Sequence, residues 1–289
     1  MTEETSAPRL DLRWLTEDKP CPAGVVPAAS GGLELKTVDG SRLFGSLILP
    51  DGTYPKPWPC AVLLHGYPGT SRNDDLAQAL RRCGVAVAVP HLRGAWGSEG
   101  AYSFAHIIED AVALANSVRA GELSRVMNAD AEAVFLIGHS MGGWTALNAA
   151  ASLPWLRGLC LIGPYDLGWH LRGGQPDKLK ELLLEGEIMR TNGQSALFAE
   201  ACALKDRSFA AAFSAVCDKD LAVVGGEFDD VAPTAMTEPL WRLLEAHPSQ
   251  AVRRRLVLPA DHAFNSHRVA LCRFVAQFIA DSCARPSMV

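Results

Sequence analysis

The sequence predicts an α/β protein with a mostly parallel, eight-stranded sheet, helices on both faces and a helical insertion late in the chain. Three observations support this. Short strand-like runs at 60–64, 85–89, 134–137, 158–162, 221–224 and 254–258 recur along the chain, most of them apolar, as strands covered on both faces should be. Helix-patterned stretches such as 74–83 and 104–119 separate them, and strand-helix-strand repetition makes neighbouring strands parallel. The third observation is residues 134–143, Val-Phe-Leu-Ile-Gly-His-Ser-Met-Gly-Gly, an apolar run that passes through Gly-x-Ser-x-Gly into the helix-forming stretch 144–151.

Residues 1–31 contain Pro8, Pro20, Pro22 and Pro27 and read as an extended arm, leaving 32–289 as one domain. Runs 33–38 and 43–49 flank Asp39-Gly40 and predict a β-hairpin, so the sheet opens antiparallel. A proline-rich loop leads to the strand at 60–64, and Gly84 is placed to end the helix at 74–83. Residues 165–219 are too long for a connection and carry helical runs at 179–189 and 196–204. This insertion reads as a cap over the mouth of a site, the alternative being surface helices with no role in binding.

Gly138-His139-Ser140-Met141-Gly142 places Ser140 on a tight strand-to-helix turn. A serine hydroxyl is a weak nucleophile on its own. Exposed on such a turn, it can meet a histidine that takes its proton and amides that hold a developing oxyanion. Glycines at 138 and 142 let the turn form and pack without a β-carbon in the way.

Composition narrows the alternatives. A chain of 289 residues, 48% hydrophobic and 20% charged, can bury a full core. Its net charge of -5 leaves no basic stripe for nucleic acid. The N-terminal stretch is broken by Glu3, Glu4, Arg9, Asp11 and Arg13, so it does not read as a signal peptide, and no run is long enough to span a bilayer. The eight cysteines stand singly, with no Cys-x-x-Cys pair, and read as buried free thiols of a cytoplasmic protein. Neither Gly-x-Gly-x-x-Gly nor Gly-x-x-x-x-Gly-Lys-Ser/Thr occurs, and no metal or organic cofactor is expected.

Four motifs in this order carry a resemblance: His65-Gly66-Tyr67-Pro68-Gly69, the serine elbow, Gly226-Glu227-Phe228-Asp229-Asp230-Val231-Ala232-Pro233, and Asp261-His262-Ala263-Phe264. Over about residues 33 to 280 the chain resembles the α/β-hydrolase superfamily. Within it, Arg93-Gly94-Ala95-Trp96-Gly97-Ser98-Glu99-Gly100 and Asp261-His262-Ala263-Phe264 look similar to feruloyl and cinnamoyl esterases and to the catalytic domains of prolyl-oligopeptidase relatives.

The resemblance implies a triad in chain order of Ser140, Asp229 and His262. Asp229 lies three after Gly226, the position from which the acid orients the base, and is preferred to Asp230, with Asp166 a remoter substitute. Of the eight histidines, His262 follows a strand and comes last in the order; His65 and His139 read as braces, His267 as solvent-facing, and His91, His106, His170 and His247 have no motif behind them. The backbone amides of Met141 and, by resemblance, Tyr67 are the expected oxyanion donors. Tyr67, Trp96, His139, Trp144 and Trp169 are candidate pocket residues.

Serine at 140, in place of a carboxylate or a cysteine, suits acyl transfer to water. The expected activity is carboxylic ester hydrolysis on a small-molecule substrate, without nucleic acid or membrane partners and with a homodimer left open. A peptidase like the prolyl-oligopeptidase relatives is the alternative enzyme, with Glu99 or Glu227 available to hold a substrate amino terminus. A non-catalytic binding module on the same fold is the alternative of another class.

Overall fold

A computed structural model describes residues 9–285. The charged stretch containing Glu3 and Glu4 falls outside them. The sheet has eight strands: β1 (Ala29–Lys36), β2 (Arg42–Leu49), β3 (Trp58–Leu64), β4 (Ala86–Pro90), β5 (Ala129–His139), β6 (Gly158–Ile162), β7 (Asp220–Gly226) and β8 (Arg253–Leu258). Their spatial order is β1-β2-β4-β3-β5-β6-β7-β8; β2 pairs antiparallel with β1 and β4, and every other pairing is parallel.

Alternation along the central strands divides the core in two. Cys60, Val62, Leu64, Val134, Leu136, Leu159, Leu161, Leu221 and Val223 face one layer, which contains α2 (Phe104–Ala120), α3 (Glu122–Met127), α4 (Met141–Ala149) and α9 (Glu238–Ala246). Ala61, Leu63, Phe135, Ile137, Cys160, Ile162, Ala222 and Val224 face the other, built on α1 (Asp74–Arg82) and α10 (Arg268–Cys283). The arm joins this second layer: Leu15 is buried in it, Asp11 N donates to Cys83 O at 3.0 Å and Arg82 Nε donates to Trp14 O at 3.0 Å.

Several boundaries differ from the sequence reading. Pairing of Ala29 with Leu49 carries β1 back into residues assigned to the arm, although Ala29–Gly32 shows no apolar alternation. The hairpin turn is wider than Asp39-Gly40, because Thr37 already bonds to Ser41 O at 2.9 Å and Val38 stands in solvent. The helix after Ser140 starts at Met141 rather than Trp144. Helices α3 and α9 had no counterpart in the reading. The cysteines are all free, but Cys21 and Cys202 are exposed, since the arm and the outer face of the insertion lack the cover that buries Cys60, Cys83, Cys160 and Cys272. Among the described residues no helix is long and apolar enough to cross a membrane.

Between β6 and β7 lie α5 (Trp169–Arg172), α6 (Pro176–Leu184), α7 (Gln194–Leu204) and α8 (Phe213–Val216). Leu179, Leu183, Met189, Leu197, Ala201 and Phe209 turn inward and merge with the layer of α2 and α4, so the insertion extends the core and is no loose loop.

Candidate active site

The candidate nucleophile sits where β5 passes into α4. Ser140 has φ 55° and ψ -122°, a conformation a non-glycine residue rarely holds unless its surroundings enforce it. They do so here. Ser140 N donates to Ile162 O at 2.9 Å, while Ser140 O accepts from Gly143 N at 2.9 Å and Tyr165 N at 3.0 Å. A Cβ on Gly142 would lie 2.7 Å from His65 O and collide with Leu64 O, and one on Gly66 would come 2.8 Å from Ser140 Cβ. Glycine at both positions lets the turn after β3 rest directly against the elbow. The Ser140 residue is 6% exposed, and among the described residues no hydrogen bond reaches its hydroxyl. Such bonds often tighten only when substrate is bound.

The loops after β7 and β8 bring an acid to a base. His262 Nδ1 donates to Asp229 Oδ2 at 2.8 Å, and Asp229 Oδ1 accepts from Val231 N at 3.1 Å and Ala232 N at 2.8 Å. The Asp229 carboxylate is fully buried with its acceptors occupied, which fixes its direction. With Nδ1 protonated, His262 keeps a lone pair on Nε2. Asp230 is exposed. Asp166 faces elsewhere: it accepts from Arg172 Nη2 at 2.8 Å, Phe209 N at 3.2 Å and Gly168 N at 3.1 Å, and its burial raises its pKa against the pull of Arg172.

Serine and dyad meet through two neighbours. His139 Nε2 donates to His262 O at 2.9 Å, with the two rings 4.9 Å apart, so the residue before the serine holds the loop that carries the base. Gly163, at φ 44°, follows the Ile162 carbonyl that receives the Ser140 amide; a Cβ there would stand 3.2 Å from Asp229 Oδ2 and 3.5 Å from His262 Nδ1. Gly163 received no role from the sequence, although the dipeptide Gly163-Pro164 marks a turn. Both histidine braces are buried. His65 Nδ1 donates to Gly66 O at 2.8 Å and its Nε2 accepts Leu92 N at 3.1 Å; burial lowers its pKa to about 4. His139 is lowered to about 4 by burial and by the nearby His262.

The two amides assigned to an oxyanion are those of Met141, the first residue of α4, and Tyr67, in the turn after β3. The first N–H groups of a helix have no intrahelical acceptor, which leaves the Met141 amide available at the positive end of the α4 dipole.

The candidate pocket residues are scattered. Trp144 needs correcting: it is fully buried, packs edge-on to Phe104 and donates through Nε1 to Arg207 O at 2.7 Å, because residue 144 lies on the inward face of α4. His139 is a brace rather than a wall. Trp96 is 41% exposed beside His91, whose Nδ1 donates to Trp96 O at 2.9 Å. Trp169 borders a cavity of about 520 Å3 with His170, Arg172, Ser208 and Met236, and Tyr67 one of about 440 Å3 with Leu183, Met189 and Leu197. His267 is half-buried rather than solvent-facing, because a 3-10 turn at Asn265–His267 precedes α10. Away from the dyad, ligand atoms of Cys217, Asp218 and His247 lie within 4.8 Å of one another, joined by a His247 Nε2 to Asp218 Oδ1 hydrogen bond of 3.0 Å.

Known structures share this architecture. Est1E from Butyrivibrio proteoclasticus, solved with ferulic acid bound, aligns with a TM-score of 0.63 at 17% identity over 88% of this chain and 100% of its own. Brefeldin A esterase, a bacterial homologue of human hormone sensitive lipase, aligns at 0.64 and 19% identity over 94% and 82%. The 2,6-dihydroxy-pseudo-oxynicotine hydrolase aligns at 0.65 and 19% identity over 87% and 67%. At these identities the likeness concerns the fold. A family model matches residues 61–284, most of the chain and all four motif turns, and the protein belongs to the alpha/beta hydrolase family.

Proposed function

We propose that this protein is a serine hydrolase that cleaves carboxylic esters of modest size through an acyl-enzyme on Ser140. The observation that carries the reading is the buried Asp229–His262 hydrogen bond, braced by His139 beside a serine held at φ 55°. In the first step Ser140 Oγ attacks the ester carbonyl carbon and its proton passes to His262 Nε2. Asp229 holds the ring and stabilises its positive form. The Met141 and Tyr67 amides receive the negative oxygen of the tetrahedral intermediate. That intermediate collapses, the alcohol leaves with the proton from His262, and water repeats the sequence on the acyl-enzyme to release the acid.

The family and the esterases among its structural neighbours support hydrolysis. The peptidase alternative loses one of its anchors, because Glu99 is engaged by Arg42 in an ion pair of 2.6 Å. The insertion acts as the cap that selects substrate, its apolar side chains bordering the 440 Å3 cavity next to Tyr67.

A fluorophosphonate probe, followed by p-nitrophenyl esters of rising chain length and aminoacyl anilides, tests the reading. Ser140-dependent labelling with ester turnover supports it. A protein that stays unlabelled is a binding module, and preference for the anilides makes it a peptidase.

A further inference from the structure

The turn after β3 and the insertion meet at one side chain. The Tyr67 ring is buried, with its centroid 5.4 Å from that of Tyr102 and 6.4 Å from that of Phe104. Its hydroxyl leaves this cluster and donates to Leu183 O at 2.8 Å. Leu183 lies in the last turn of α6, and its carbonyl also accepts the Glu185 amide that caps the helix, so the tyrosine adds a second donor to a helix-end acceptor. Three residues later comes Gly186. A Cβ there would overlap the Tyr67 hydroxyl and ring, so a side chain at 186 would push the tyrosine off its acceptor. The same segment is fastened further on: Tyr102 N donates to Arg190 O and Arg190 N to Gly94 O, both at 2.8 Å. Burial pushes the Tyr67 phenol up to about 12, which keeps it a donor at neutral pH.

We propose that Tyr67 is a positioning residue whose hydroxyl clamps segment 183–191 of the insertion and thereby holds its own backbone amide at the angle an oxyanion requires. This rests on the reading of Ser140 as nucleophile. Side chain and amide belong to one residue, so a shift of the clamp rotates the donor. Displacing a catalytic donor by a fraction of an ångström weakens stabilisation that only the transition state receives. The 440 Å3 cavity is bordered by Tyr67, Leu183 and Gly186, so a substrate that fits it leaves the clamp closed, whereas one that distorts it lowers turnover as well as affinity.

Tyr67→Phe removes one oxygen and keeps the ring, and two readings are taken on it. Fluorophosphonate labelling of Ser140 should slow about tenfold, and kcat for p-nitrophenyl esters should fall by the same factor at every acyl length with KM within about twofold. Amide exchange in 183–191 should quicken about fivefold, the equivalent of one neutral hydrogen bond, while exchange in β5 and α4 stays as it was. Gly186→Ala should give both changes through the opposite partner; if it does not fold, Tyr67→Phe decides alone.

Both changes are required. Faster exchange with unchanged labelling, or slower labelling with unchanged exchange, overturns the proposal. A loss carried by KM and graded with acyl length makes Tyr67 a pocket wall and overturns it too. Wild-type protein that is not labelled, or labelling retained by Ser140→Ala, overturns the nucleophile instead, and exchange in 183–191 then reads the clamp separately.

Discussion

The turns at the ends of β5, β7 and β8 are held by backbone against backbone, whereas the insertion between β6 and β7 adds several side-chain ties to its backbone bonds at Arg190. In the turns, Ser140 N meets Ile162 O, Phe228 N meets Ala260 O at 3.0 Å and Glu227 N meets Leu258 O at 2.8 Å, with glycines where a Cβ would strike a neighbouring main chain. In the insertion, Tyr67 reaches Leu183, Trp144 reaches Arg207, Arg172 reaches Asp166 and Glu200 reaches the start of α2. A side-chain tie of this sort contributes about 1 kcal/mol and can be remade elsewhere; a backbone wedge cannot. On the proposed function, the difference would separate two duties on one fold, with chemistry resting on the stiffer turns and selection on the more yielding segment.

The sharpest break lies within the turns. Ser140→Ala and His262→Ala should each lower kcat by roughly 10⁴ to 10⁶, with the double variant no worse than either single one, because the members act as a unit. Asp229→Asn should cost about 10⁴ through the wrong imidazole tautomer, and exposed Asp230→Asn should stay near wild type. Steady-state ester kinetics decide, and a larger loss for Asp230→Asn would reverse the choice of acid.

Next come the glycines. Gly142→Ala must part β3 from α4, since its Cβ meets the Leu64 and His65 backbone, and should destabilise by about 3 kcal/mol or more. Gly173→Ala in the insertion meets nothing nearer than Trp169 O at 3.3 Å and sits at φ -82°, so it should be neutral or stabilise by about 0.5 kcal/mol. Urea midpoints compare the two. A mild Gly142→Ala would show the turns to be as yielding as the insertion.

A smaller effect follows from His65. Its folded pKa lies below the ordinary histidine value, so its contribution to stability is complete above about 6.5 and drains away as pH falls toward about 4. Between pH 7 and pH 5 that amounts to about 2 kcal/mol. His65→Gln should remove about half of the slope in this part of the stability profile, His139 supplying the rest, even if it lowers the whole curve. An unchanged slope would mean that a proton is accepted without breaking the bonds to Gly66 and Leu92.

These two regions were not equally legible in the sequence. Strand positions, the order of the four turns and the place of Ser140 could all be read, because buried parallel strands need short apolar runs and an elbow needs small residues at 138 and 142. The Asp229–His262 contact joins residues 33 apart, and it was the family's order rather than local pattern that suggested it. Pocket side chains could not be read in the same way. Trp144 and Trp96 are both large and apolar, yet one is buried in the core and the other half in solvent, a choice made by helix phase and by a loop at φ 51°. Helix α3 was missed because a six-residue segment gives few turns over which a period can show, while α9, as long as α1, was passed over without such a reason. The contact of Tyr67 with Leu183 spans 116 positions, and nothing in the sequence pointed to it or to the glycine at 186 that makes room for it.

The smallest predicted effect lies on the insertion's side and tests how lightly it is held. Glu200 on α7 accepts Phe104 N and Ala105 N, both at 2.9 Å, while Ser103 Oγ accepts His106 N at 3.1 Å. Between them these two side chains satisfy the first three amides of α2, and the Glu200 carboxylate also lies at the positive end of that helix dipole. Glu200→Gln keeps the shape but surrenders the charge and one of two acceptors. The expected loss is about 1 kcal/mol, a fall in Tm of roughly 2 to 4 °C for a chain of this size. Because Glu200 ties α7 to the start of α2 and makes no hydrogen bond to the elbow, fluorophosphonate labelling of Ser140 should proceed at the wild-type rate while amide exchange rises at the start of α2 and along α7. If labelling slowed as much as it does in Tyr67→Phe, the insertion would be acting on the elbow as one rigid piece, and the division between an unyielding turn set and an adaptable insertion would fall.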